Sequence, residues 1–347
     1  MDKKVASFLK YLLWGAVAVV LLYFSFRSVR WADFAAALTN CRWGYVLLSM
    51  VLGALVFLVR GLRWRMQLLP IDPKTSGVTC WNAYNICMLV NLVLPRVGEV
   101  VRCAYVTKHS SRDSSGARLA SMDKVFGTVV VDRVWDALSL VIVFGVLLLT
   151  MWDRFGAFFE QSFSSGISLR GGLVWIFVLL VCVLVLAVYL SWKFRAKGGV
   201  WGKIWGIIRG FSDGLSSCLR MRRGWLFIVY TALIWILYWL MCATVMWALQ
   251  GIDPSAVGPE LAESLAKIDS LTMADALFLM FAGAMSSIIP VPGGFGAFHT
   301  VVAGALLSIY GIPFPVGLIF ATLSHESQVV TDAICGGVSY VAETVRK

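Results

Sequence analysis

The chain has 347 residues, of which 59% are hydrophobic and 14% charged, with a formal net charge of +11 and a mean hydropathy of +0.81. Soluble domains carry about 45–50% apolar and about 25% charged residues. The surplus excludes a disordered protein, a coiled coil and nearly every soluble enzyme, and predicts a polytopic integral membrane protein. The basic residues sit in blocks between apolar runs, as in membrane loops, so they do not point to a nucleic-acid partner. The eight cysteines are scattered without a Cys-x-x-Cys pair, which predicts neither a disulfide framework nor a zinc site. Three histidines, His109, His299 and His325, are far apart in sequence, and no metal site or other cofactor is expected from their spacing.

A spanning helix needs about 20 mostly apolar residues. The first predicted span runs from Ser7 to Phe26 behind Lys3, Lys4 and Lys10, and reads as an uncleaved first helix. The second, Tyr45–Trp64, ends among Arg60, Arg63 and Arg65. Further predicted spans are Val134–Trp152, Gly172–Trp192, Trp225–Leu249 and Phe314–Val341. Between 201 and 219, Trp201, Ile204, Trp205, Ile208, Phe211, Leu215 and Leu219 recur at helical spacing. This is the pattern of a basic interfacial helix.

Two stretches are too short or too broken for full spans. Trp81–Leu94 stops at Pro95. Leu271–Ile289 runs into Pro290-Val-Pro-Gly-Gly-Phe-Gly296 before a further apolar stretch to Tyr310. Each reads as a re-entrant hairpin, the alternative being a pair of short spans. The predicted fold is therefore an all-α membrane helix bundle of about six full spans plus two re-entrant helical hairpins. It forms a single transmembrane domain over 1–347. Residues 7–152 and 172–341 repeat the order span, span, hairpin, span, which suggests an inverted repeat whose breaks meet at a binding site.

Ten basic residues lie from Arg60 to Lys124 and eight from Lys193 to Arg223, whereas the connection 250–270 carries Asp253, Glu260, Glu263 and Asp269 against Lys267 alone. The positive-inside rule then puts both termini in the cytoplasm.

Four constellations carry the candidate site. In Asn91-Leu-Val-Leu-Pro95-Arg96-Val-Gly98-Glu99-Val-Val-Arg102, proline and glycine break the helix, and Glu99 can pair with Arg102 three residues on. Arg96 has the planar fork that suits a phosphate. The alternative is a set of solvated charges at the membrane surface. Asp132, Arg133 and Asp136 stand at the predicted start of a span, where two carboxylates on one face call for a cation from Arg133, Arg96 or Arg102. Gly293, Gly294 and Gly296 bring backbone amides near the start of a helix bearing His299, a natural anion site. Close packing through small residues explains the glycines nearly as well. In the last span, His325, Glu326 and Asp332 form part of a polar stripe, which marks either a pathway or an interhelical hydrogen-bond network.

Enzyme motifs fail. His325-Glu326-Ser-Gln-Val is not His-Glu-x-x-His, Gly283-Ala-Met-Ser286-Ser is not a nucleophile elbow, and the chain has no P-loop. No catalytic residue is assigned, and ATP is not the evident energy source.

Taken in order, Asn91–Arg102, Asp132-Arg133-x-x-Asp136 and Pro290-x-Pro-Gly-Gly-x-Gly296 resemble three motifs of one family, the flippase-like transmembrane region of lysylphosphatidylglycerol synthases. The resemblance implies a bacterial or archaeal cytoplasmic-membrane protein that moves a polar or anionic lipid, a phospholipid or a polyprenyl-phosphate, between leaflets. The chain reaches Lys347 soon after its last span, so the aminoacyl-transferring domain, and with it synthase activity, is not expected. Two departures bear on the substrate: Asp132 and His299 stand where the family often has Glu, which puts transfer of a lysyl-lipid substrate in doubt. Two further readings remain open. One is a membrane enzyme using the aspartate pair and a divalent ion on such a lipid. The other is a non-catalytic subunit of a lipid- or glycan-synthesis complex; a homo-oligomer is also compatible with the sequence.

Overall fold

A computed structural model describes residues 3–152, 189–190, 193, 221 and 223–345. Among them every regular element is helical. The helices are α1 (Lys3–Phe26), α2 (Trp31–Asn40), α3 (Trp43–Leu68), α4 (Gly77–Val93), α5 (Val97–Lys108), α6 (Met122–Thr150), α7 (Gly224–Leu249), α8 (Pro259–Asp269), α9 (Met273–Ser286), α10 (Ala297–Tyr310) and α11 (Phe314–Val345). Single 3-10 turns occur at Pro254–Ala256 and Pro292–Gly294. This is the predicted all-α polytopic bundle. By length and composition, four described helical stretches can cross a membrane: Trp43–Leu68, Met122–Thr150, Gly224–Leu249 and Pro292–Tyr310. The number rises to six if Leu12–Phe26 with Trp31–Asn40, and Pro259–Asp269 with Met273–Ser286, each count as one bent span. The predicted span 172–192 and interfacial helix 201–219 lie outside the described residues.

Local chemistry sets the helix ends. The Ser76 hydroxyl accepts the Thr79 amide at 3.0 Å and starts α4. Thr272 and Asp275 form a reciprocal capping box that starts α9. Gly311, at φ 61°, closes α10 in the left-handed conformation. Two helices appear where the sequence reading had connections. α2 follows α1 after a 90° bend, and α8 meets α9 at 102°. α8 occupies the acidic connection and buries Leu261, Ser264, Leu265 and Ile268 on one face, so its charges belong to an amphipathic helix.

The described chain divides into two compact units, Met1–Val129 with Val229–Lys347, and Val130–Ile228. In the first, α4 packs against α3, α5 and α11, while α11 also packs on α10 and α3. The α4–α11 approach is close. A Cβ at Gly336 would stand 2.4 Å from the Leu89 Cβ and 2.9 Å from the Asn85 carbonyl oxygen, so glycine is required there. One apolar cluster joins Trp64 and Leu68 to Cys80, Ile86, Cys103 and Val106. Another joins Val56 and Phe57 to Tyr84, Ile234 and Met241. α1 rests on the Pro-Gly turn through Ala18, Val291 and Ala297. In the second unit, Trp135 and Phe227 meet edge to face at 5.3 Å. The six described cysteines are free, and five of them are buried, as packing residues should be.

Candidate functional site

The first break separates α4 from α5 at Leu94–Arg96, where Pro95 stands. Arg96 precedes α5 at φ 67°, the only non-glycine residue with positive φ among those described. A left-handed arginine costs about 1 kcal/mol or more and persists only where its surroundings impose it. They do so here. The Asn91 side-chain oxygen accepts the Gly98 amide at 2.9 Å across the break. A Cβ at Gly98 would fall 2.1 Å from the Cys87 carbonyl oxygen, so α5 folds back onto α4 with no room to spare. The Arg96 side chain is exposed.

Glu99 and Arg102 pair as their spacing predicts, at 2.7 Å, with Arg102 fully buried. The Arg102 guanidinium lies 4.7 Å from the Trp64 ring centre and 5.5 Å from that of Tyr84. Arg60 stands 5.8 Å from the same Tyr84 ring and donates to the Tyr238 hydroxyl at 3.0 Å. Arg63, fully buried, reaches the Thr231 hydroxyl at 3.4 Å. Sequence reasoning used Arg60 and Arg63 only to orient a span, yet both lie inside the bundle. One turn further along α3, Gln67 is buried with no hydrogen-bond partner for either amide atom among the described residues. The signal was present: positions 60, 63 and 67 share one helical face.

The second break holds Pro292–Gly294. Gly293, Gly294 and Gly296 all have positive φ, at 55°, 79° and 78°. The last of these lets α1 approach: a Cβ on Gly296 would stand 2.6 Å from the Leu21 Cβ and 2.9 Å from the Ala18 carbonyl oxygen. The two breaks meet. A Cβ on Gly293 would stand 3.2 Å from the Leu92 carbonyl oxygen, at the end of α4. Thus α5 and α10 both begin at one junction, each without a side-chain cap, and both present amino-terminal dipole ends there.

α11 lines this junction. His325 Nε2 donates to the Gly293 carbonyl at 2.9 Å, and its Nδ1 stands 3.2 Å from Glu326 Oε1. His299, buried in the first turn of α10, has Nε2 3.7 Å from the same oxygen. Sequence distance made the histidines look separate; the packing of α10 on α11 brings His299 and His325 to 5.0 Å between ring centres. One ligand atom from each of His299, His325 and Glu326 falls within 4.8 Å of the other two, a spacing that could hold a metal ion.

Asp332 is buried about two turns farther along α11. The motif Asp132-Arg133-x-x-Asp136 sits inside α6, because α6 begins at Met122 and not at the motif. There Asp132 is buried, and Arg133 supplies the expected cation to Asp136 at 3.6 Å. Glu343 was missed altogether. It accepts from Tyr105 at 3.0 Å, pairs with Lys108 at 2.5 Å and stands 3.1 Å from His109, joining the end of α11 to the end of α5.

Several long apolar helices, with charged side chains buried among them, define a multi-pass helical membrane protein. The family model described as Lysylphosphatidylglycerol synthase TM region matches residues 11–336. The chain belongs to this family, as the motif resemblance implied, and is an integral membrane protein of lipid metabolism or transport. No curated protein and no solved structure matches it.

Proposed function

We propose that the protein moves the polar headgroup of an anionic lipid, a phospholipid or a polyprenyl-phosphate, between leaflets of a bacterial or archaeal cytoplasmic membrane, both of its termini facing the cytoplasm. The observation that carries this reading is the meeting of the two breaks. There the amino-terminal ends of α5 and α10 converge, and the exposed Arg96 supplies a bidentate phosphate ligand. Glu99 and the buried Arg102 hold the start of α5 in place behind it. Arg60, Arg63 and Gln67 extend the polar interior along α3. Hydrocarbon tails give such groups no partners, so a polar headgroup passing among them replaces water that the bilayer lacks.

The test is lipid movement in proteoliposomes, with labelled anionic, aminoacylated and polyprenyl-phosphate lipids. One class moves with wild-type protein. Arg96→Ala abolishes the movement while the protein elutes and melts as wild type, since the side chain is exposed. Glu99→Gln slows it. No movement of any class by folded wild-type protein would reject the reading in favour of a lipid-modifying enzyme or a partner subunit.

A further inference from the structure

We infer that His299, His325 and Glu326 bind a divalent transition-metal ion of the zinc class at the second break, a site that stands whether or not any lipid is moved. The Gly293 carbonyl can only accept, so His325 Nε2 must carry the proton of the 2.9 Å bond. In neutral His325 that leaves a lone pair on Nδ1, aimed 3.2 Å away at Glu326 Oε1, which is itself an acceptor. Two acceptors facing each other require a cation between them. A single proton there would answer His325 alone. It would leave His299 Nε2 facing the same oxygen at 3.7 Å, too far for a hydrogen bond.

A metal ion answers all three. Two ligand atoms each about 2.1 Å from a tetrahedral ion lie about 3.4 Å apart. The two edges at Glu326 Oε1, 3.2 and 3.7 Å, bracket that value, and the three ligand atoms lie within 4.8 Å of one another. The bond from His325 Nε2 to a backbone carbonyl is the outer contact that fixes the tautomer and ring direction of a ligating histidine. A second, independent observation concerns His299. It is 1% exposed, and its Nδ1 has no hydrogen-bond partner among the described residues. In neutral His299 with the proton on Nδ1, Nε2 presents its lone pair to the carboxylate, the form a ligating imidazole takes.

Imidazole with one carboxylate suits zinc, cobalt or nickel better than calcium or magnesium, which take oxygen ligands. Three protein ligands leave a fourth position open. The ion would pin α10 to α11 across the Pro-Gly turn, and a water or an anionic oxygen would complete its shell. Glu326 is 41% exposed on its side chain, so its carboxylate is not sealed inside the protein.

The test uses tag-free, full-length protein in detergent, stripped with chelator and dialysed against zinc chloride or cobalt chloride. One ion per chain is expected by elemental analysis. Bound cobalt should give the visible absorption of a four-coordinate nitrogen–oxygen site, and zinc should raise the Tm by linkage. Glu326→Gln and His299→Gln should each weaken binding at least tenfold and erase the cobalt spectrum. His109→Gln, at the other end of the molecule, should change neither. Should His299→Gln not fold, Glu326→Gln decides, because that side chain is partly exposed and the change keeps its shape. Absence of stoichiometric uptake by wild type, or undiminished uptake in Glu326→Gln, overturns the site and leaves a proton as the cation between Nδ1 and Oε1.

Discussion

Replacing Gly98 with alanine tests whether the first break is held as tightly as the structure shows. The new methyl would lie 2.1 Å from the Cys87 carbonyl oxygen and 2.7 Å from the Asn91 side-chain oxygen. Reaching an ordinary contact of about 3.5 Å requires α5 to move off α4 by about 1.4 Å. Overpacking of this kind costs about 1–3 kcal/mol. Loss of the 2.9 Å bond from the Gly98 amide to Asn91 adds about 1 kcal/mol. The helical preference of alanine over glycine returns about 0.5–1 kcal/mol. The net loss is about 1–3.5 kcal/mol, a fall of about 2–7 °C in Tm at about 2 °C per kcal/mol. Gly127→Ala is the control: that glycine is exposed within α6 with nothing near its Cβ position, so the same substitution should raise Tm slightly. Thermal unfolding of the purified protein in detergent measures both. Equal shifts for the two variants, or an unchanged Tm for Gly98→Ala, would refute the close approach of α5 to Cys87.

Arg102→Met should destabilise by about 3–5 kcal/mol because it removes the buried cation of the pair with Glu99, and adding Glu99→Gln should recover part of the loss in the same melts. Gly296→Ala should loosen α1, and trypsin should then cut faster at Arg27 and Arg30, between α1 and α2, than in wild type. Asp72, in the connection between α3 and α4, has its carboxyl held below the usual carboxylate range. Partial burial pushes the other way, but hydrogen bonds from the Ser111 amide, the Ser110 hydroxyl and the Lys74 amide outweigh it. A depressed folded-state pKa means the stabilisation is full above the unfolded value of about 4 and is lost as pH falls through the lower, folded one. The Tm gap between wild type and Asp72→Asn should therefore be constant above about pH 5 and narrow below about pH 4.

How much of this was legible depends on how local each signal is. The long apolar helices α3, α6 and α7 follow from hydropathy alone, and the breaks at Pro95 and Pro292 follow from residues that end helices wherever they stand. α2 and α8 were not read, because they are short and their one-sided burial is masked by Asp33, Glu260 and Glu263. α6 begins three turns before the motif it carries, since Asp123 and Lys124 in its first turn look like loop residues in a hydropathy window. The site shows the same division. Glu99 with Arg102 is an i,i+3 pair and was predictable. His299 with His325, Arg102 with Trp64, and Glu343 with Tyr105 are tertiary meetings that no spacing announces. Arg60 and Arg63 were read by the positive-inside rule as interfacial, a rule about loops that does not weigh a buried arginine with aromatic partners.

The polar contacts also bear on which part of the bundle can open. Along α11, His325 bonds the Gly293 carbonyl, Ser339 accepts the Asn85 amide at 2.9 Å on α4, and Glu343 holds Tyr105 and Lys108 on α5. From His325 to Glu343 the helix rises about 27 Å, nearly the hydrocarbon thickness of about 30 Å. Sliding α11 past its neighbours by one turn would break the Asn85–Ser339 bond and pull His325 and Glu343 from their partners. Among its described side chains α1 is fastened differently, by the small apolar cluster around Ala18, by Phe26 against His299 at 5.7 Å between ring centres, and by the Ser25 hydroxyl on Thr300 at 2.9 Å. Contacts of that kind can part without stranding a charge. On the function proposed above, a headgroup bound for the junction of the two breaks would enter beside α1, with α4 and α11 as the fixed wall. Gly296, which admits the α1 backbone so closely, would then be where α1 rests when that way is shut.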